Sequence, residues 1–320
     1  MVEHIPHNGS VFLKPGWSWD VALRGVIPPM ISPLNEAGEA DAEAVGRVVD
    51  YILAGGCSGL FVLGGTGQGA WLSSSQREGI VRASVRAAAG RAPVLVGLML
   101  PGTAPAREAA LQAQAAGADA LVVGSPYYFG VDAASQQRHV EAILSATPLP
   151  VLLYNIPQCT HVPLAREAVA ALAAEPRILG VKDSWGDLPY FQSLLTLKLT
   201  RPSFRVLQGH EHAAMASLLL GADGLIPGLG NVAPRLLVDL VRAAQAGDIQ
   251  TCQSLHAQIF ELTSMYTNRV GLPGLYAACA SLGLARNIPA EPWIAVADAD
   301  VVAIETMLQK HHLLPMAARI

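Results

Sequence analysis

The feature that most constrains this chain is an alternation repeated along most of its length. A short run of consecutive apolar residues is followed by a longer segment with helical spacing, and the pair recurs about eight times. The apolar runs are Gly25 to Ile31, Gly59 to Leu63, Pro93 to Leu98, Ala120 to Val123, Pro150 to Tyr154, Ile178 to Lys182, Arg205 to Leu207 and Gly224 to Ile226. They are continuous rather than alternating, the pattern of strands buried on both faces of a parallel sheet. Helical patterns follow them, for example Asp41 to Ala54, Ser74 to Ala88, Ala133 to Ala146 and Ala233 to Ala246, with a segment over Glu211 to Leu220 after the seventh run. Two helix-to-strand turns repeat one motif, Ala116-Gly117-Ala118-Asp119-Ala120 and Leu220-Gly221-Ala222-Asp223-Gly224, with glycine suited to the left-handed end of a helix. Eight parallel units close naturally into an α/β fold, the (β/α)8 TIM barrel. The alternative, a doubly wound open sheet, would carry G-x-G-x-x-G after its first strand, and this chain has none there. The expected organisation is an irregular N-terminal arm over 1–23, the barrel over 24–247, and a C-terminal helical region over 248–320 packed on the barrel.

Composition excludes several classes. The chain has 52% hydrophobic and only 14% charged residues, which rules out disorder. Its longest uncharged stretch, Tyr51 to Gln76, is broken by Gly55-Gly56, Gly64-Gly65 and Ser73-Ser74-Ser75, so it reads as strand, loop and helix start rather than a membrane span. Met1 to Asp20 lacks a basic segment followed by an apolar one, so no signal peptide is expected and the chain is read as cytoplasmic. A net charge of −4 without a basic run makes nucleic acid a poor partner. The cysteines Cys57, Cys159, Cys252 and Cys279 form no C-x-x-C pair, so neither a zinc site nor a disulfide framework is signalled. Sparse charge on a non-membrane chain points to self-association.

In a parallel barrel the chemistry lies at the C-terminal ends of the strands. The groups standing there are Gly64-Gly65-Thr66-Gly67-Gln68, Ser125-Pro126-Tyr127-Tyr128, Tyr154-Asn155-Ile156-Pro157, Lys182-Asp183-Ser184 and Gly209-His210-Glu211-His212. Lys182 is the most informative. Only four of the 21 basic residues are lysine, and one of them ends an apolar strand. A lysine taken out of water can lose its proton and act as a nucleophile, which arginine cannot. The same residue could instead be a strand-end lysine paired with Asp183. Tyr154 also ends an apolar strand, and on spacing alone it reads as a core tyrosine with its hydroxyl on backbone. The glycine loop with Thr66 suits a small carboxylate, although such loops are common in α/β chains. His210 and His212 with Cys159 and His161 could form a metal site, but the spacing matches no standard motif.

With these motifs in order, the chain resembles the family of dihydrodipicolinate synthase and N-acetylneuraminate lyase over roughly Gly25 to Leu284. The resemblance rests on Gly64-Gly65-Thr66-Gly67, Pro126-Tyr127-Tyr128, Tyr154-Asn155-Ile156-Pro157, Gly180-Val181-Lys182-Asp183 and Gly221-Ala222-Asp223-Gly224-Leu225-Ile226. It implies a (β/α)8 barrel, usually in a homotetramer that is a dimer of dimers, and a Schiff base between the strand-six lysine and a 2-oxo acid, commonly pyruvate. By resemblance Lys182 attacks the ketone, Tyr154 shuttles protons, and Thr66 links Tyr154 to Tyr128 of a neighbouring subunit. Gly65 and Thr66 hold the carboxylate, and the Ile226 carbonyl lies near Lys182. No cofactor and no metal are implied. Other matched positions depart from the synthases. Cys159 stands where an arginine grips the second substrate's carboxylate, and His161 where a glycine follows. His210 replaces an acidic residue after Gly209, Gln68 a glutamate, and Gly65 a second hydroxyl residue. Cysteine cannot grip a carboxylate as a bidentate arginine does. The expectation is therefore a lyase or aldolase that uses or releases pyruvate, with second-substrate contacts from Gly209, His210 and Cys159. Dihydrodipicolinate synthase proper, a dehydratase or deaminase of the same family, a non-catalytic 2-oxo-acid-binding barrel and a metal-dependent aldolase are the alternatives.

Overall fold

The structure, a computed structural model, describes residues 18–268 and 270–314. Most of the expected N-terminal arm lies outside the described residues; its end, Trp19–Ala22, is one helical turn capped by Ser18. Seven strands, β1 (Leu60–Val62), β2 (Val94–Gly97), β3 (Ala120–Gly124), β4 (Val151–Asn155), β5 (Ile178–Asp183), β6 (Arg205–Gln208) and β7 (Gly224–Leu225), pair in chain order, each parallel to the next.

The run expected as the first strand, Gly25 to Ile31, closes this curled sheet without forming a regular ladder. It makes single bridges to both open edges, Val26 with Leu225 and Pro29 with Phe61. The Ile27 N–H donates to the Leu225 carbonyl at 2.9 Å and the Met30 N–H to the Phe61 carbonyl at 2.8 Å. Pro28 and Pro29 have no N–H to donate, which rules out a continuous ladder. Asn231 takes over part of the pairing. Its buried amide accepts from the Ile31 N–H at 3.0 Å and donates to the carbonyls of Pro29 and Gly228, both at 2.8 Å.

The repeated Gly-Ala-Asp turns have one physical role. The Asp119 carboxylate accepts from the Val94 N–H and the Asp223 carboxylate from the Val206 N–H, each at 2.9 Å. Each aspartate thus ties the entry of its own strand to the strand before it. Helices begin on side-chain caps, including Asp41, Asp132 and Asp187, and Ser73 forms a full capping box with Gln76.

Strand β5 carries an irregularity that decides the site. Val151 pairs with Ile178 but Leu152 pairs with Gly180, so β5 holds one residue more than β4. Such a bulge re-phases the side chains that follow. Val181 joins the core outside the barrel, and Lys182 pairs with Tyr154, which belongs to the cluster inside it. Gly180 is required here because a Cβ would lie 2.0 Å from the Arg205 carbonyl oxygen.

After the barrel come helices Ile249–Thr267, Pro273–Ser281 and Asp298–Lys310. The first packs on Pro234–Gln245 and the last two pack on each other. The last helix buries Ile304 and Leu308. The segment expected as one helix over Glu211 to Leu220 opens as a 3-10 turn, Glu211–Ala213, and becomes α-helical over Ala214–Leu219. Among the described residues no helix is long and apolar enough to cross a membrane.

Replacing Asn231 by leucine should cost about 3–5 kcal/mol, because a buried donor and two buried carbonyls lose their partner. Urea denaturation would show it as a lower midpoint; an unchanged midpoint would mean the barrel closes without this side chain.

Candidate active site

At the C-terminal end of β5 the Lys182 side chain is 3% exposed. Its Nζ lies 4.0 Å from the centre of the Tyr154 ring and 5.0 Å from that of Phe61. The two rings meet edge to face at 6.1 Å and form one side of the amine's surroundings. Burial drives the lysine pKa from 10.5 down to about 7, while Glu211, Cys159 and Asp183 pull the other way. The desolvation wins, so a substantial fraction of the amine is neutral near pH 7.

The pairing of Lys182 with Asp183 does not form. Adjacent residues on a strand point to opposite faces, and Asp183 turns outward. Its Oδ1 accepts from Asn155 Nδ2 at 2.6 Å and from the Trp185 N–H at 3.4 Å, while Oδ2 has no partner among the described residues. Burial pushes this carboxyl up to about 6, against its bond from Asn155. Asn155 also accepts from the Leu164 N–H at 2.8 Å, which fixes the chain beyond β4.

Tyr154 is buried in the interior cluster, with its hydroxyl on the Ser184 side chain rather than on backbone. Burial holds its hydroxyl well above the ordinary phenol range, opposed by a hydrogen bond with the Ser184 side chain. Gly209 leaves room for this group: a Cβ there would lie 2.1 Å from Ser184 Oγ and 2.5 Å from Lys182 Cε. The Gly209 N–H donates to the Asp183 carbonyl at 2.7 Å.

The glycines of the loop have different roles. Gly67 and Gly69 allow the loop to pack on the protein itself, with a Cβ at Gly69 only 2.1 Å from the Leu63 carbonyl oxygen. Gly65 is the open position, exposed and facing Ile156. Thr66 stands next to it, its Oγ1 3.5 Å from where a Gly228 Cβ would be. Glu211 Oε1 lies 3.3 Å from the same point, so Gly228 brings the two loops close.

The C-terminal helices support these groups, which the sequence reading missed. Tyr276 donates to the Thr66 carbonyl and accepts from the Ser32 N–H, both at 3.2 Å. Tyr266 donates to Glu211 Oε1 at 3.0 Å, and the Leu229 N–H donates to the same oxygen at 3.3 Å. Glu211 lies within the Gly209-His210-Glu211-His212 motif, where the flanking histidines carry the stronger sequence signal. The tyrosines carried no signal, being apolar members of helical patterns.

The remaining expected residues fall in different surroundings. Ile226 is fully buried in the interior cluster with Tyr154. The His210 N–H donates to Gln208 Oε1 at 2.7 Å, and its Nδ1 is buried without a partner. The His210 ring stands 5.4 Å from that of His212, whose Nε2 is hydrogen-bonded to Thr263 Oγ1 at 2.9 Å. Among the described residues, no three His, Cys, Asp or Glu side chains are placed to hold a metal ion. The metal-site geometry considered from the sequence does not form. Cys159 and His161 line a cavity of about 380 Å³ together with Tyr154, Gly65 and the Trp71 and Trp293 rings. Tyr128 is 82% exposed at a φ of 82°, packed edge-on against Phe129 rather than lining this cavity.

The profile of the Dihydrodipicolinate synthetase family matches residues 22–311. A protein named probable 2-dehydro-3-deoxy-D-pentonate aldolase YjhH, from Escherichia coli, is 35% identical over 244 residues, covering 76% of this chain and 81% of its own. A 4-hydroxy-tetrahydrodipicolinate synthase from Laribacter hongkongensis is 35% identical over 245 residues, 74% of this chain and 84% of the relative. Among solved structures, the Escherichia coli prophage protein YagE in complex with pyruvate superposes with a TM-score of 0.85 at 31% identity, over 91% of this chain and 99% of that one.

The depressed lysine pKa sets a sign for stability. The unfolded chain holds the Lys182 proton up to about pH 10.5 and the folded chain only to about 7. Between those values the unfolded state binds more protons, so stability rises with pH across that window, and below pH 7 burial opposes folding in full. Lys182→Met should therefore be more stable than the parent at pH 7 by a few kcal/mol, on the order of the linkage energy, with the gain shrinking toward pH 10. Thermal melts across that range test this; a destabilised variant at pH 7 would refute it.

Proposed function

Since the chain belongs to the dihydrodipicolinate synthetase family of carbon–carbon lyases, we propose that it is a Schiff-base-forming lyase that cleaves or condenses a 2-oxo acid through Lys182, with pyruvate as the imine-forming partner. The observation that carries this reading is a buried lysine amine, neutral in a substantial fraction at pH 7, against the ring of a tyrosine at a strand end. A neutral amine is the nucleophile that imine formation needs.

The residues divide the work as follows. Lys182 Nζ adds to the ketone carbon and water leaves, giving a protonated imine. Tyr154, held protonated by burial, donates the proton that lets the carbinolamine hydroxyl depart. In the cleavage direction the bond between C3 and C4 of a 4-hydroxy-2-oxo acid breaks. Its electron pair moves into the imine to give an enamine, and the C4 hydroxyl loses its proton as the aldehyde leaves. Protonation at C3 and hydrolysis then release pyruvate and restore the lysine. The Gly65 N–H and the Thr66 hydroxyl take the 2-oxo acid's carboxylate, and the Ile226 carbonyl lies toward the amine.

The assembly that goes with this reading is a homotetramer in which Tyr128 of one chain completes the proton relay through Thr66 of another. Its support is the exposure of Tyr128 and Phe129, 82% and 75%, an aromatic pair that a single chain leaves in water. Gly209, His210 and Cys159 stand on the second-substrate side of the amine.

Borohydride added with pyruvate should fix an adduct on the peptide that contains Lys182, seen by mass spectrometry. The trapping rate should climb through about pH 7 and level off above it, following loss of the lysine proton. No adduct with any of several 2-oxo acids would sink the Schiff-base reading. Tyr128→Phe should lower kcat by about 10²-fold or more with the oligomeric state unchanged in light scattering; full turnover would remove Tyr128 from the relay.

A further inference from the structure

The cavity above Tyr154 carries information about the second substrate. Its wall contains no Lys, Arg, Asp or Glu among the described residues. It is built largely from Leu98, Met99, Leu100, Ile156, Trp71 and Trp293. The two indoles, both partly exposed, meet edge to face with ring centres 4.5 Å apart.

Most polar side chains of this wall already hydrogen-bond within the protein. The Gln68 amide accepts from the Ala290 N–H at 2.8 Å and donates to the Ala290 carbonyl at 3.4 Å. Ser125 accepts from Gln136 and donates to the Pro126 carbonyl. The Tyr127 hydroxyl donates to the Met99 carbonyl, and the Thr160 hydroxyl points at the carbonyls of Ile156 and Val162. Gln158 donates its amide N–H to the Ser184 carbonyl at 2.6 Å. What remains is the Tyr154 hydroxyl beside the lysine, the Gln158 amide oxygen, the Cys159 thiol, a weak donor, and the exposed His161 imidazole.

Such a wall fits some aldehydes and rejects others. A chain of hydroxyl groups would enter it and exchange water for few partners, losing affinity at each unpaired group. A distal carboxylate would meet no Lys or Arg. A flat apolar ring would instead lie along the indoles and the aliphatic side chains, where aromatic contacts add to the gain from burial.

We propose that the aldehyde partner of this lyase is an aromatic or bulky apolar aldehyde, rather than a polyhydroxylated or carboxylated one. The inference rests on the Schiff-base reading of Lys182. In the condensation, C3 of the pyruvate enamine attacks the aldehyde carbon and the new carbon–carbon bond forms. The aldehyde oxygen takes a proton, and the water released on imine formation is returned on hydrolysis. The net product is a 4-aryl-4-hydroxy-2-oxobutanoate from one pyruvate and one aryl aldehyde.

The test incubates the full chain with pyruvate and, separately, benzaldehyde, D-glyceraldehyde or aspartate semialdehyde, and follows the 4-hydroxy-2-oxo acid formed. Borohydride trapping with pyruvate alone is run on the same preparation. The expected result is a kcat/KM for benzaldehyde at least about tenfold above that for either polar aldehyde. Trp71→Ala and Trp293→Ala should each raise the KM for benzaldehyde more than they lower kcat, and Trp→Phe at the same positions should restore most of the loss. A preference for glyceraldehyde or aspartate semialdehyde, or no benzaldehyde product from protein that traps pyruvate, overturns this inference and leaves the Schiff-base reading standing. Failure to trap pyruvate on Lys182 overturns that reading and the inference with it.

Discussion

The structure depends on the removal of one amine from water. Lys182 sits 3% exposed beside two aromatic rings, and that desolvation outweighs the attraction of Glu211, Cys159 and Asp183. A closer or better aligned carboxylate would reverse the balance and leave a charged, inert ammonium. The fold prevents this by geometry. The extra residue in β5 aims Lys182 inward, and strand alternation then sends the neighbouring Asp183 outward to Asn155. Gly180 and Gly209 supply the space, one for the strand crossing and one for the lysine side chain itself.

Around this amine, the parts that bear on chemistry are fastened from outside the barrel. Tyr276 and Tyr266, from the helices that follow it, hold the Thr66 loop and the Glu211 turn by hydrogen bonds. Asn231 holds the proline-bearing segment that closes the sheet. These are single buried polar contacts in a largely apolar core, so each fixes a loop position at small cost in buried polarity.

Much of the architecture was legible in the sequence because buried parallel strands and amphipathic helices have different apolar periods. The alternation placed seven observed strands, and its first run proved to be the closing segment, with Pro28 and Pro29 explaining why no ladder forms there. Lys182 stood out because lysine is rare in this chain and this one ends an apolar run. Glu211 and its tyrosine partner could not be found: they are 55 residues apart, and no local pattern joins them.

The sequence by itself determined the order of strands and helices, the family, and the identity of the strand-end lysine. Those rest on local periodicity and on motifs read in order. Tertiary structure alone decided which way Lys182 points, because one extra residue in a strand reverses every side chain after it and leaves no mark in composition. It also decided that the wall beside Cys159 is apolar. Gln68, Ser125, Tyr127 and Thr160 read as polar in the sequence, and only folding turns their hydrogen bonds onto the protein.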